Sequence, residues 1–329
     1  MRSEHVDLLA CPDCRGPLTL HGASDTSGRV AEGSLECGAC QVSWPIKGGI
    51  PRFVSSDNYA SGFGLQWNLH RKTQYDSYTG VPVSETRFFE ESRWDRNLQG
   101  HVILEVGSGS GRFTEHAVAT GATVISVEYS SAVEANYATN GHQPNLLLVQ
   151  GDLYRLPLPL ACCDRLFCFG VLQHTPDVER SFKILPQYLQ SGGKLAADVY
   201  RKPLGWRKLT NTKYWIRPLT RRMKPQLLYK TVKGYVSMMW PLSRVISAIP
   251  RVGKKINWSL LIADYRGVYP LPDPVLKEWA ILDTFDMLCP AFDDPKTLET
   301  FRRWFEEAGL REIDVHYGYN GVEGRAVKP

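Results

Sequence analysis

Four cysteines and one glycine turn are the residues of this chain whose types and spacing could do chemistry. Cys11-Pro-Asp-Cys14 and Cys37-Gly-Ala-Cys40 form two C-x-x-C pairs. A tetrahedral site needs paired knuckles of this kind to bring four thiolates to about 2.3 Å from one zinc ion. Cys11, Cys14, Cys37 and Cys40 are therefore expected to hold a structural Zn2+, with the Gly-, Ser- and charge-rich segment between the pairs forming a hairpin. The turn is Leu104-Glu105-Val106-Gly107-Ser108-Gly109-Ser110-Gly111-Arg112, after the β-type run His101-Val102-Ile103-Leu104 and before a helix start. A nucleotide-type ligand is expected at such a strand-to-helix turn. The dinucleotide fingerprint G-x-G-x-x-G places its last glycine where this chain has Arg112, and a phosphate loop ends in Gly-Lys-Ser/Thr where this chain has Gly111-Arg112-Phe113. NAD and ATP are both disfavoured.

Further strands must hold the partners of that turn. "TVISVEYS" ends in Glu128, whose carboxylate stands about 20 positions after the turn, where an acidic residue accepts ribose hydroxyls in other nucleotide folds. "NLLLVQGDL" ends in Gly151-Asp152-Leu153, and "DRLFCFGVLQHTPD" supplies a fourth strand. "SFKILPQYLQSGGKLAADVY" reads as a helix, a Gly-Gly turn and a fifth strand; the tail reads as a helix, "TLETFRRWFEEAGL", then two strands joined at Asn320-Gly321. Strands alternating with helices predict an α/β sheet.

Composition bounds the remainder. With 329 residues and 43% hydrophobic content the chain can bury one large core or two domains. No stretch reaches the roughly 18 apolar residues of a membrane span, and the charged N-terminus is unlike a secretory signal. A cytoplasmic chain is expected, its cysteines serving as thiols or metal ligands, with Cys162, Cys163, Cys168 and Cys289 packing as small apolar residues. Residues 201–255 hold fifteen Lys or Arg and no Asp or Glu; removing those fifteen from the 39 basic residues leaves 24 against 34 acidic. Trp206, Tyr214, Trp215, Tyr229, Tyr235 and Trp240 are interleaved with them. Such a mixture can bind nucleic acid, hold an anionic substrate, lie on an acidic membrane surface, or simply offset the acidic remainder as solvated helices.

The acidic-x-G-x-G-x-G pattern at 105–111, Glu128 and "GDL" together resemble class I S-adenosylmethionine-dependent methyltransferases, over about residues 60 to 200 and again from near 281. The resemblance implies a Rossmann-like seven-stranded sheet in the order 3-2-1-4-5-7-6, with S-adenosyl-L-methionine at the carboxyl ends of the first two strands. It implies Gly107, Ser108, Gly109 and Gly111 against the methionine portion, Glu105 toward its amino group, Glu128 on the ribose, Tyr129 along the adenine, Asp152 on the adenine amino group, Leu153 against the ring, and Phe169 and Gly170 at the sulfur end. Gln66 and Trp67, ahead of the first core strand, become lid candidates; Trp67 and Phe63 read equally well as anchors of an ordinary packing helix. Residues 5 to 54, with "LLACPDCRGPL" and "VSWPIKGGIPRF", resemble the zinc ribbon of small activator proteins that partner RNA and protein methyltransferases. That resemblance implies a structural ion and a docking surface.

The expected chemistry follows from a sulfonium that already activates its methyl group: the enzyme aligns a nucleophile and, for a hydroxyl or ammonium, removes its proton. His174, four residues after Gly170, is the first base candidate, against a packing or backbone-satisfying role. Asp264, Tyr265, Asp283 and Asp286 are alternatives, against capping roles. The expected organisation is a zinc ribbon at 1–56, a helical lid segment at 57–100, the methyltransferase core at 101–200 and 281–329, and a basic aromatic insertion for substrate recognition at 201–280. The expected activity is methyl transfer to a small or carrier-linked, anionic acceptor in biosynthesis; RNA methylation and a non-catalytic cofactor-binding scaffold are the other readings. The sequence leaves the oligomeric state open.

Overall fold

The computed structural model describes residues 1–55, 57–203 and 211–329. Trp206, with the rest of 204–210, lies outside the described residues.

The chain opens with β1 (Thr19–His21), β2 (Gly33–Cys37), β3 (Val42–Lys47) and β4 (Ile50–Pro51), an antiparallel sheet in that order. Next come α1 (Ser61–Leu69), α2 (Asp76–Thr79) and α3 (Val83–Ser92). The alternating unit follows as β5 (Val102–Val106), α4 (Thr114–Ala119), β6 (Thr123–Glu128), α5 (Val133–Asn140), β7 (Leu146–Gln150), β8 (Cys163–Cys168), α6 (Val178–Ile184) and β9 (Leu189–Val199). Four helices intervene: α7 (Lys213–Thr220), α8 (Pro225–Ser247), α9 (Gly253–Ser259) and α10 (Asp273–Leu288). The described chain closes with α11 (Leu298–Glu307), β10 (Arg311–Gly318) and β11 (Gly321–Val327).

The large sheet runs β10-β11-β9-β8-β5-β6-β7, which from the other edge is the expected order 3-2-1-4-5-7-6. β5 to β9 are parallel and the last hairpin is antiparallel. Every residue of β7, Leu-Leu-Leu-Val-Gln, is buried, as expected of a parallel strand covered on both faces. The order reverses between β5 and β8, and a ligand crevice belongs at the carboxyl ends of the strands beside such a switch.

The cysteine-bearing sheet shares the core of the large one: Leu9, Leu35 and Ile46 cluster with Leu147, Val149 and Leu156. Phe53 N donates to Gln150 O at 2.8 Å, so the small sheet's exit strand continues along the edge of β7. Arg15 adds a clasp, its Nη1 donating to the carbonyls of Leu156 (2.9 Å) and Leu158 (2.8 Å) and to the Tyr188 hydroxyl (2.8 Å).

Two expected boundaries shift. A break at 280/281 would cut α10, whose Leu276, Trp279, Phe285 and Leu288 are buried with Leu228, Val232 and Val236 of α8; α10 therefore packs as part of the insertion, and α11 resumes the sheet-covering layer. Within 57–100, α3 is a packing layer, because Phe88 is buried with Ile103 and Phe167 under the sheet. Within the same segment α1 lies over the glycine turn through Trp67, and Tyr75 OH donates to the turn's Ser110 carbonyl at 2.5 Å.

Candidate cofactor and acceptor site

The turn needs glycine for two separate reasons. Gly107 has φ 81° and a Cβ there would stand 2.3 Å from Val171 Cγ2; Gly109 has φ 55° and a Cβ there would meet Trp67 Nε1 at 3.0 Å. Trp67 of α1 thus covers the turn at a distance only glycine permits. From β6, Glu128 Oε2 accepts from Gly109 N at 2.9 Å, while Oε1 accepts from Ser130 N (2.8 Å) and Ser130 Oγ (2.6 Å). These groups border a cavity of about 790 Å3, large enough for a nucleoside-sized ligand and a second molecule. Ser108 Oγ, buried on its wall, has no hydrogen-bond partner among the described residues. An orphaned hydroxyl beside a backbone cradle that any Cβ would fill fits an absent polar ligand.

Most of the residues singled out in the sequence face this cavity: Gln66, Trp67, Gly107, Ser108, Gly109, Glu128, Tyr129, Leu153, Phe169, Gly170, His174, Tyr265 and Asp286. Three do not. Glu105 is sealed beneath the turn, accepting from Thr114 Oγ1 (2.5 Å) and Ser126 Oγ (2.8 Å), and burial pushes its carboxyl up to about 7. It braces the turn from below instead of meeting a ligand. Gly111 is a packing glycine, since a Cβ there would fall 2.2 Å from Asn136 Oδ1 on α5. Asp152 turns back on its own chain, Oδ1 accepting from Tyr154 N at 2.9 Å, and stands next to Tyr59 and Tyr129, whose phenols it raises in second place after burial. Asp264 is also removed from the base candidates: it is buried and bonded to Ser243, Ser247 and Arg266, tying α8 to the loop before α10.

The far half of the cavity comes from elements distant in sequence. His174 Nδ1 lies 3.0 Å from the Phe292 carbonyl, its ring between those of Phe63 (5.1 Å) and Tyr200 (5.2 Å). A carbonyl only accepts, so the neutral ring keeps its proton on Nδ1 and presents the lone pair of Nε2, which is buried with no partner among the described residues. Asp286 accepts from the Tyr200 hydroxyl at 3.2 Å and from Gln66 Nε2 at 3.4 Å. Tyr265 donates to Asp283 Oδ2 at 2.6 Å, and desolvation, opposed by that bond, holds the Asp283 carboxyl up at about 7.

Two arginines complete the wall. Arg87 is held by Glu91 (2.8 Å) and by Asp198. Arg112 has no ion pair among the described residues, lies 4.5 Å over the Phe113 ring, and is pushed down to about 10 by desolvation and then by Arg87. Neither arginine was singled out as functional from the sequence. The Arg87/Glu91 i,i+4 pair was readable there; Arg112 stood in plain view as the residue that broke the dinucleotide fingerprint.

A pH test follows for Asp283. Its folded value of about 7 lies above that of an unfolded aspartate, so between about pH 4 and 7 the folded chain keeps a proton that the unfolded chain releases. Stability therefore falls as pH rises through this window and stays low above it. The drop in Tm from pH 5 to pH 8 should be smaller in Asp283→Asn than in the unsubstituted chain; an equal drop would show that Asp283 does not titrate there.

The ligand atoms of Cys11, Cys14, Cys37 and Cys40 lie within 4.8 Å of one another, with Cys14 Sγ to Cys37 Sγ at 3.5 Å and Cys11 Sγ to Cys40 Sγ at 3.9 Å. Tetrahedral bonds of about 2.3 Å place sulfurs about 3.8 Å apart, so the spacing fits such an ion.

Comparison with known proteins agrees with both halves. The family described as "Methyltransferase domain" matches residues 104–197, and the family described as "Trm112p-like protein" matches residues 2–49. An uncharacterized chloroplastic methyltransferase of Arabidopsis thaliana is 22% identical over 244 residues, 67% of this chain and 68% of that protein. An uncharacterized methyltransferase of Geobacillus thermodenitrificans is 31% identical over 29% of this chain and 45% of its own length. A ubiquinone biosynthesis O-methyltransferase of Coxiella burnetii is 32% identical over 30% of this chain and 43% of its own length. The match thus spans about two thirds of the first relative and under half of the other two. Among solved structures, a chain of the complex between the Haloferax volcanii Trm112 methyltransferase activator and a methyltransferase aligns with TM-score 0.44 at 11% identity, over 84% of this chain and 99% of that one. Human N-acetylserotonin methyltransferase aligns with TM-score 0.39 at 12% identity, over 80% of this chain and 53% of that one. The chain carries a methyltransferase domain behind a Trm112p-like domain.

Proposed function

We propose that the cavity binds S-adenosylmethionine at its glycine-turn end and a small or carrier-linked anionic acceptor at the other, with His174 taking the acceptor's proton. The observation that carries this is the buried Nε2 of His174, without a partner among the described residues and in the same cavity as the glycine turn. When bound, the cofactor supplies an electrophilic methyl group. Glu128 accepts from the ribose hydroxyls, Tyr129 and Leu153 bracket the base, and Ser108 donates to the methionine portion. Gln66 and Trp67 on α1 exclude water from that end. The Phe292 carbonyl fixes the His174 tautomer that can accept a proton, and Arg112, with no ion pair among the described residues and Asp283 as the largest attraction on it, draws the acceptor's negative charge. The Tyr265/Asp283 pair orients the acceptor across the cavity.

This moves the expected recognition charge. Arg221, Arg222 and Lys224 are exposed and outside the cavity lining, so the cations next to the acceptor are Arg112, Arg87 and Lys213; the insertion supplies Lys213, paired with Asp293 at 2.9 Å, together with aromatic and acidic lining. Incubation with labelled cofactor and separate metabolite, lipid and RNA fractions tests the reading. Label entering a small acidic molecule or a lipid-linked one is the expected result, and label confined to RNA would overturn the acceptor class.

We further propose that the four cysteines hold one structural Zn2+. Metal analysis should find one equivalent per chain and loss of most of it in Cys37→Ser, with a lowered Tm, because the thiolates close a core shared with the large sheet. Unchanged metal content in that variant would end the assignment.

A further inference from the structure

We propose that the outer face of α7 to α9 docks on a membrane surface with anionic headgroups. α8 is apolar on two opposite sides. Leu228, Val232, Val236 and Trp240 are buried against α10, whereas Leu227, Met238, Leu242 and Val245 are 55%, 72%, 48% and 68% exposed. Their offsets of 11, 4 and 3 residues put these four within about 60° of one another around the helix. Ile249, Val252 and Ile256 carry the same spacing through the turn into α9, and all three are exposed. A helix apolar on all sides is ordinarily enclosed. Here no described residue covers the outer stripe.

The charge around it has one sign. Arg221 and Arg222 end α7, Lys224 precedes α8, Lys230, Lys233 and Arg244 flank the stripe, and Arg251, Lys254 and Lys255 follow it, all of them exposed. Residues 201–255 hold no acidic side chain. Among the described residues the only ion pair in this set is a 3.9 Å contact from Arg244 to Asp273. A solvated helix face carries both signs, with i,i+4 pairs between them. Apolar side chains projecting from a surface of unpaired cations match a headgroup layer, where the cations meet lipid phosphates and the apolar groups enter the acyl boundary. RNA fits less well, because stacking along a strand needs a row of exposed aromatic faces, and the exposed aromatics among the described residues of α7 to α9 are Trp215 (65% exposed) and Trp258 (39%), neither of them on α8. Trp240 is buried and Tyr229 and Tyr235 pack into the helical core, so that Met, Leu, Val and Ile are the residues that project from α8. The face adjoins the cavity: Thr212 Oγ1 donates to Ser259 O at 2.7 Å, joining α7 to α9, and these helices add Lys213 and Trp258 to the cavity lining.

The test reads binding and does not depend on methyl transfer. The full chain should sediment with vesicles of phosphatidylcholine mixed with phosphatidylglycerol and weakly with phosphatidylcholine alone. Met238→Ser/Leu242→Ser/Val245→Ser and, separately, Arg221→Gln/Arg222→Gln/Lys224→Gln should each weaken binding to the mixed vesicles roughly tenfold at unchanged Tm. The second variant replaces only exposed cations and keeps the test open if the first unfolds. Failure to sediment with anionic vesicles at low salt overturns the proposal. So does RNA binding that survives in the serine variant while vesicle binding is absent throughout. A dimer mass in light scattering that falls to monomer in the serine variant likewise overturns it, by making the stripe an interface between two copies.

Discussion

Replacing His174 with alanine is expected to lower kcat roughly 100-fold while leaving the affinity for S-adenosylmethionine nearly unchanged. The split between the two constants matters, because His174 also fills space between the Phe63 and Tyr200 rings. A packing role would damage cofactor affinity and Tm together. A base role would instead leave binding intact while kcat falls. His174→Gln fills much of the same space but cannot take a proton at this position, so it should be as slow as the alanine variant. Near-normal turnover in both would return His174 to packing and make Asp283, held at about 7 across the cavity, the next base to test.

Glu128→Ala should weaken binding of the cofactor or its demethylated product by about 1.5 to 3 kcal/mol, or about 10- to 150-fold, since it removes a charged acceptor for two ribose hydroxyls. The structure gives reason to expect the upper part of that range. Glu128 also receives Gly109 N, Ser130 N and Ser130 Oγ, so alanine leaves three donors unmatched and frees the glycine turn on one side. Glu128→Gln keeps one acceptor oxygen and should fall between the two. Calorimetry with cofactor and with NAD decides the matter: an unchanged dissociation constant, or tighter binding of NAD, would remove the assignment of this end of the cavity.

How much of this site the sequence disclosed depended on how far apart its parts lie. The glycine-turn end of the cavity is built from one turn and the ends of successive strands, so Gly107, Gly109, Glu128, Tyr129 and Leu153 were legible as its lining from local patterns. Even there the pattern overreached. Glu105 and Gly111 belong to the same motif but serve the turn's own support and its packing on α5, a distinction set by which way a side chain points across a sheet. The far end was half hidden: His174, Tyr265 and Asp283 were named from the sequence, whereas Arg87, Arg112 and Tyr200 join them only after α3, β9 and the insertion fold together. Charge counting found the basic segment and misjudged the address of most of it: Arg221, Arg222, Lys224, Lys230 and Lys233 are exposed, Lys213 lines the cavity paired with Asp293, and Arg112, outside the segment, lines it with no ion pair among the described residues. The strand order was legible because alternating strands and helices leave few unknotted arrangements.

The clasp of Arg15 has a thermodynamic consequence. This residue follows Cys14 directly, with φ 64°, and its guanidinium holds the carbonyls of Leu156 and Leu158 on the loop that also carries Leu153 into the cavity. The cysteine cluster and this wall of the cavity are thus joined through one side chain, and any coupling carried by that joint must be reciprocal. If loosening the four sulfurs raises the dissociation constant of the cavity's ligand, a ligand seated in the cavity must shift the sulfurs' binding equilibrium against a chelator by the same factor. The Trm112p-like domain and the cavity wall it clasps lie in one chain, so that factor can be read from either end.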